Sequence, residues 1–268
     1  GYGSGGVLSL SKEQLVKEQM SWVEEGFKAV KMKVGRRDSR EDIERVKAVR
    51  EAIGNDIDLM VDANNGWSVN TAIRMAKRLE RFDVRWLEEP VVAEDYDGYA
   101  RVAAATEIPI AGGESEFTKF GFKELFLRRC IDICQADIGK VGGITEYIKV
   151  AAMAEAFNIS MCPHGLGLVS AHCVAATPNG MLVEFFDGNR YPNTTIRKFQ
   201  EETGRRFMPH SIHPVKGWVD LPKVPGLGLD PDLEAIEEYR RSYRFRAEEL
   251  DRGPGTIPPF NNNLFLSL

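Results

Sequence analysis

The chain reads as an α/β protein whose parallel strands close into a (β/α)8 barrel, and three observations predict this. Short apolar runs alternate with amphipathic stretches, with glycine and proline between them, which argues for a parallel sheet covered by helices. Three of the runs end in carboxylates, and Asp62, Glu88 and Glu114 stand 26 residues apart in turn, a length that fits one strand, one helix and two loops. Polar residues also end nearly every run from the second to the eighth. An open doubly wound sheet gathers such residues at one switch point, whereas a barrel brings all its strand ends to one rim.

The elements follow in order. Val7 to Leu10 is a weak first strand, and Ser11 can cap a helix that Gly26 ends. Ala29 to Val34 is the second strand, Asp38 to Ala52 an amphipathic helix closed by Gly54, and Ile57 to Asp62 the third strand. Helices at Ser68 to Arg81, Tyr96 to Ala105 and Lys119 to Arg129 separate strands at Val84 to Glu88, Ile108 to Ala111 and Ile131 to Gln135. Lys140 and the Gly142-Gly143 pair form a turn into the helix Ile144 to Phe157. Ile159 to Cys162, a helix over Leu168 to Ala176 and Met181 to Glu184 complete the pattern. The barrel domain is expected over residues 1–190. Residues 191–268 form a C-terminal segment with a charged helix, Leu233 to Leu250, and a tail from Arg252 whose apolar finish, Leu264-Phe265-Leu266, suits either a mobile end or docking on a neighbour.

Composition narrows the function. The 268 residues are 43% hydrophobic, enough for one large core. Charges are mixed, 35 basic against 40 acidic, and no basic block tracks a phosphate backbone, so nucleic acid is not an expected partner. No run reaches transmembrane length, and the opening Gly1 to Gly6 has neither the basic nor the apolar region of a secretory signal. Cys130, Cys134, Cys162 and Cys173 lack paired spacing and read as buried small hydrophobes, which suits a reducing cytoplasm.

Lys31 and Lys33 lie two apart on the second strand and share a face, with Val30, Met32 and Val34 on the other. With the apolar set against the helices, the lysines face the barrel interior, where a charge needs compensating anions or loses its proton. A neighbouring ammonium and a metal would lower the pKa of Lys33 and make it a base. Asp62 and Asn64 also share a face, as metal ligand and substrate-orienting group. Alternation alone leaves Glu88 and Glu89 open, and the equal spacing favours Glu88. Carboxylates without paired Cys or His suit Mg²⁺ better than Zn²⁺. Asp137 ends the sixth strand, His164 the seventh and Glu184 the eighth, so Asp137 can fix the tautomer of His164 and raise its basicity. His172, His210 and His213 read as structural or surface residues.

Lys31-Met32-Lys33, Val61-Asp62-Ala63-Asn64, Leu87-Glu88-Glu89-Pro90, Gly112-Gly113-Glu114, Asp137 followed by Val141-Gly142-Gly143, and Pro163-His164-Gly165 together resemble the enolase superfamily, most closely its mandelate racemase subgroup. The resemblance covers about residues 1 to 230. It implies a TIM-type (β/α)7β barrel, Mg²⁺ held by Asp62, Glu88 and Glu114, and abstraction of the proton next to a substrate carboxylate. It further implies Lys33 as the base on one face, His164 with Asp137 on the other, and Lys31 and Glu184 on the substrate carboxylate or its enolate oxygens. Asp137 stands where the muconate-lactonising branch would show a lysine, which favours the racemase and acid-sugar dehydratase branch. The family's N-terminal α+β capping domain has no evident counterpart, and Gly188 to Tyr239 resembles the part that returns toward it. Homo-oligomeric assembly is a further implication.

The expected function is Mg²⁺-dependent dehydration of a sugar acid to a 2-keto-3-deoxy acid through an enediolate. A racemase or epimerase of a 2-hydroxy acid is the enzymatic alternative, and a non-catalytic metal-binding barrel the alternative from another class.

Overall fold

The structure, a computed structural model, describes residues 1–165, 167–187 and 214–250. The chain divides into two compact units, Gly1–Arg190 with Ile212–Lys223 and Tyr191–Ser211 with Val224–Leu268. His210, His213 and the tail from Arg252 lie outside the described residues.

In the first unit the strands are β1 (Tyr2–Gly5), β2 (Ala29–Lys33), β3 (Asp58–Asp62), β4 (Val84–Glu88), β5 (Ile110–Gly112), β6 (Ile133–Cys134), β7 (Ser160–Met161) and β8 (Glu184–Phe186). They form one sheet in the order β7-β6-β5-β4-β3-β2-β1-β8, and every pairing is parallel. A parallel bridge between Met161 and Gly180 joins β7 to the chain that leads into β8. Met161 N–H donates to the Asn179 carbonyl at 2.8 Å, and Met181 N–H returns to the Met161 carbonyl at 2.9 Å. The ring thereby closes.

The connecting helices are α1 (Lys12–Glu24), α2 (Ser39–Ile53), α3 (Val69–Leu79), α4 (Tyr96–Ala103), α5 (Thr118–Leu127), α6 (Ile138–Val141), α7 (Ile144–Ala156) and α8 (Gly167–Ala175). Side-chain oxygens open several of them, as the high preference of Ser and Asp for this position leads one to expect. Ser11 and Gln14 form a reciprocal capping box on α1, while Asp38, Ser68 and Asp95 cap α2, α3 and α4. In the second unit, α9 (Leu233–Leu250) opens with the Asp232 carboxylate accepting from Ala235 N–H at 2.8 Å. Among the described residues no helix is long and apolar enough to cross a membrane. All four cysteines are free and buried, as their spacing suggests.

The period of two along each strand sorts side chains between the interior and the helices. Tyr2, Ala29, Met60, Trp86, Ala111, Ile133 and Cys162 meet inside the ring as an apolar floor, where Tyr2 and Trp86 pack edge to face at 5.4 Å and 88°. The same faces continue upward into charge. Lys33, Asp62 and Glu88 are neighbours in register across β2, β3 and β4, one level above Met60 and Trp86.

Two strands differ from their sequence-based positions. The first is Tyr2–Gly5, and Val7 to Leu10 is instead the loop that follows, turned by the Leu10 N–H bond to the Val7 carbonyl. Glycine usually weakens a strand, but here it makes room: a Cβ on Gly3 would stand 2.3 Å from the Trp22 ring of α1. The last strand is Glu184–Phe186, later than Met181 to Glu184, because Met181 is still engaged with β7. Gly3→Ala is therefore expected to destabilise the fold by about 1–3 kcal/mol through overpacking. An unchanged urea midpoint for this variant would remove the close-approach explanation.

Candidate active site

The strands from β2 to β8, or the loops directly after them, deliver one or two polar groups each to the mouth of the ring. On β2, Lys31 rises from the floor, with its ammonium 5.4 Å above the Tyr2 ring centre. Its Nζ donates to Glu88 Oε1, lies 3.0 Å from Glu184 Oε1, and is 3.6 Å from Asp62 Oδ2. Lys33 Nζ, one step higher, donates to Asp62 Oδ2. Asp62 also accepts the Asn64 backbone N–H at 2.8 Å, so the turn after β3 fixes its carboxylate. Trp86 Nε1 at 3.0 Å and Gln135 Nε2 at 2.7 Å both donate to Glu88 Oε2.

The other side of the mouth carries the imidazole. His164 Nδ1 is 2.8 Å from Asp137 Oδ2, and Asp137 is itself held by capping α6 through Gly139 N–H at 2.7 Å. Nε2 of His164 lies 3.5 Å from Glu114 Oε2 and 4.0 Å from Glu184 Oε2. Glu184 also accepts from Gly165 N–H at 3.1 Å. Access grades upward, from 1% exposure for Lys31 through 17% for Lys33 to 34% for His164, so the histidine and Lys33 are the groups a ligand reaches first.

Burial and mutual charge set the protonation states. Burial disfavours the Lys31 ammonium, but Glu184 and Glu88 outweigh it and its pKa stands well above the ordinary value. Asp62 does the same for Lys33, against burial and the Lys31 charge. The expected lowering of Lys33 is thus not produced in this arrangement, because a carboxylate sits directly on it. Glu184 is held well below the usual carboxylate range, since Lys31 and His164 overcome its burial. Burial first, and then the Asp62 charge, push Glu88 up to about 7. Burial and Glu114 push Glu89 to about 8. For His164, burial favours the neutral ring, yet Asp137, Glu184 and Glu114 together carry its pKa to about 9.

The sequence-predicted residues therefore gather in two groups. Lys31, Lys33, Asp62, Glu88 and Glu184 form one network; His164, Asp137 and Glu114 form the second, joined to the first through Glu184. Asn64 contributes its backbone to Asp62. Among the described residues no three His, Cys, Asp or Glu side chains are drawn together as a metal-holding group: the lysine ammoniums stand on Asp62 and Glu88, and Glu114 leans to His164. The donor set nonetheless fits a hard dication. It is oxygen only, and burial first, then a neighbouring carboxylate (Asp62 for Glu88, Glu114 for Glu89), raises the pKa values of Glu88 and Glu89. One oxygen of Glu89, Oε1, is buried without a hydrogen-bond partner among the described residues. Gln135 and Asn65 are additions to the predicted set. Gln135 could have been found by stepping back two from Asp137 along one face; for Asn65 only the doubled Asn64-Asn65 signalled a turn.

The family model described as enolase C-terminal domain-like matches residues 14–236. The chain belongs to the enolase superfamily. An arabinonate dehydratase of Saccharolobus solfataricus is 35% identical over 245 residues, 89% of this chain and 63% of the relative. A racemase structure from Streptomyces coelicolor with bound magnesium superposes with a TM-score of 0.78 at 34% identity, over 88% of this chain and 62% of that one. An L-talarate dehydratase structure from Polaromonas, complexed with Mg and L-glucarate, gives a TM-score of 0.78 at 33% identity, over 88% and 62%. The chain thus spans less than two thirds of the length of these relatives of the superfamily. Their barrels agree with the parallel ring seen here.

Removing one member of a buried ion network leaves its partners uncompensated, at a cost of about 3–5 kcal/mol. Lys31→Met is expected to lose stability on that scale, and most at alkaline pH. Without the ammonium, Glu88 and Glu184 have folded-state pKa values above their unfolded ones, so stability is retained at acid pH and lost as pH rises through the folded values. Urea denaturation at pH 5 and pH 8.5 checks this, and equal losses at both would contradict it.

Proposed function

We propose that the protein removes the proton α to a substrate carboxylate with the help of Mg²⁺, and that the overall reaction is dehydration of a sugar acid to a 2-keto-3-deoxy acid. The observation that carries this reading is the placement of two proton-handling arms. Lys33 stands on β2 and the His164–Asp137 pair just after β7 and β6, with the carboxylate-bearing strands β3 and β4 and the loop after β5 between them around the ring. Solved relatives holding magnesium and a dehydratase relative support it.

Asp62, Glu88 and Glu114 are the residues that would hold the dication. When bound, it supplies positive charge beside the substrate carboxylate, where negative charge develops as the α-proton leaves. Lys33 accepts that proton at Nζ. In this structure Asp62 keeps Lys33 as an ammonium, so service as a base requires the Asp62 charge to be engaged by another cation. Lys31 is fixed by Glu88 and Glu184 and keeps a positive charge beneath the substrate's oxygens. Asn64, on the turn above Asp62, orients the substrate. His164 is charged at neutral pH and gives its Nε2 proton to the departing β-hydroxyl, which leaves as water; Asp137 holds the ring for this transfer.

NMR-detected α-proton exchange in D₂O with Mg²⁺, over hexonic, pentonic and aldaric acids and mandelate, tests the reading. Lys33→Ala should abolish exchange. His164→Asn should keep exchange while losing formation of the keto-deoxy product by about 10²–10⁴-fold, the usual weight of a general acid. Full turnover by both variants would sink the proposal. Exchange without a constitutional change in the substrate would assign the same site to racemisation instead.

A further inference from the structure

Directly above the paired Asp62 and Glu88, the loops after β3 and β4 are tied together. The sheet ladder runs out with Ala63 N–H on the Glu88 carbonyl at 3.0 Å, and Glu89 N–H on the Ala111 carbonyl at 3.1 Å. Beyond that point two bonds join one pair of residues: Asn65 N–H donates to the Glu89 carbonyl at 2.8 Å, and Asn65 Nδ2 donates to Glu89 Oε2 at 2.8 Å. The backbone there is unusual. Asn64, Asn65 and Glu89 have φ of 41°, 62° and 39°, a left-handed region that residues other than glycine rarely adopt and that persists where surrounding bonds enforce it. Glu89 is 1% exposed, and its Oε1 has no hydrogen-bond partner among the described residues. The Asn65 amide is thus what holds its carboxylate.

We infer that Glu89 and Asn65 form a latch that positions the metal-side carboxylates, with Glu89 as a positioning residue acting through the turn that carries Asp62 and Asn64. The turn's other ties among the described residues start from backbone N–H groups. Gly66 N–H closes it onto the Ala63 carbonyl at 2.8 Å, and Asn64 N–H spends its bond on Asp62 Oδ1. If the turn rotates, the donor that orients Asp62 moves with it. The latch rests on the reading of Asp62 and Glu88 as magnesium ligands, and it explains why a second, costly carboxylate stands beside Glu88 where alternation requires only one.

The test has two arms. In the metal-free protein, amide hydrogen exchange over residues 63–66 should quicken in Glu89→Ala relative to the wild type. In a Mg²⁺ titration by calorimetry, Glu89→Ala and Asn65→Gly should each bind about 10-fold more weakly, the usual effect of removing a partner that orients a metal ligand. Glycine at 65 keeps the left-handed backbone without strain, so this variant removes the amide side chain and leaves the fold in place. The double variant should bind no more weakly than Glu89→Ala alone. Wild-type affinity in Asn65→Gly, or losses that add in the double variant, would show that Glu89 acts by its charge alone and overturn the latch. Unchanged amide exchange would overturn it too. A wild type that binds no Mg²⁺ would sink the metal reading, and the exchange arm would still decide the latch.

Discussion

The structure depends on a lysine ammonium buried in the middle of a ring of strands. Lys31 is 1% exposed, and its charge is tolerable only because Glu88, Glu184 and Asp62 converge on it from three other strands. An isolated charge placed there would carry a desolvation cost of several kcal/mol. Mutual attraction offsets that cost when the partners are held at contact, and here they are held by the barrel itself. β8, β1, β2, β3 and β4 are consecutive in the sheet, so the network is also a statement of register. A slip of one residue in β2, β3, β4 or β8 would turn its charged group toward the helices and leave the rest unpaired.

The apolar floor is the other half of this arrangement. Tyr2, Met60, Trp86, Ile133 and Cys162 fill the ring below the charges and exclude water from beneath. They also shape the polar layer directly, since Trp86 gives its indole N–H to Glu88 and the Tyr2 ring lies under the Lys31 ammonium. Electrostatic interactions in such a dry setting are stronger than in water and need no reorganisation when a ligand arrives. The same dryness raises Glu88 and Glu89, with the Asp62 charge adding to it at Glu88 and the Glu114 charge at Glu89, whereas Lys33 and Lys31 overcome it at Asp62, and Lys31 and His164 at Glu184.

Much of this was legible in the sequence because strand geometry converts spacing into direction. The 26-residue intervals located the ends of β3, β4 and the loop after β5 and favoured Glu88 over Glu89, which alternation had left open, and the period of two placed Lys31 with Lys33 on one face. What escaped was set by tertiary contact. The first strand is glycine-rich and lacks branched residues, and only the Trp22 ring against Gly3 explains it. The pKa of Lys33 followed from which neighbour lies closest, a fact about side-chain reach that spacing does not encode. Glu114 leans toward His164 for the same reason. Neither the positive φ at Glu89 nor its tie to Asn65 has a signature in a single sequence.

The two groups of polar residues share one electrostatic imbalance. Among the described residues, the six carboxylates Asp62, Glu88, Glu89, Glu114, Asp137 and Glu184 have Lys31, Lys33 and His164 as their nearest cations, with Lys140 acting on Asp137 from further off. Without further positive charge, burial and then the neighbouring carboxylates raise Glu88 and Glu89, while Asp137, Glu184 and Glu114 outweigh burial and raise His164. A dication among these oxygens would relieve the same excess differently: the carboxyl protons would be displaced and Asp62 would be shared between two cations, weakening its hold on Lys33. Metal and base are then linked through one carboxylate. On the proposed reading, a residue that fixes that carboxylate's turn would bear on both.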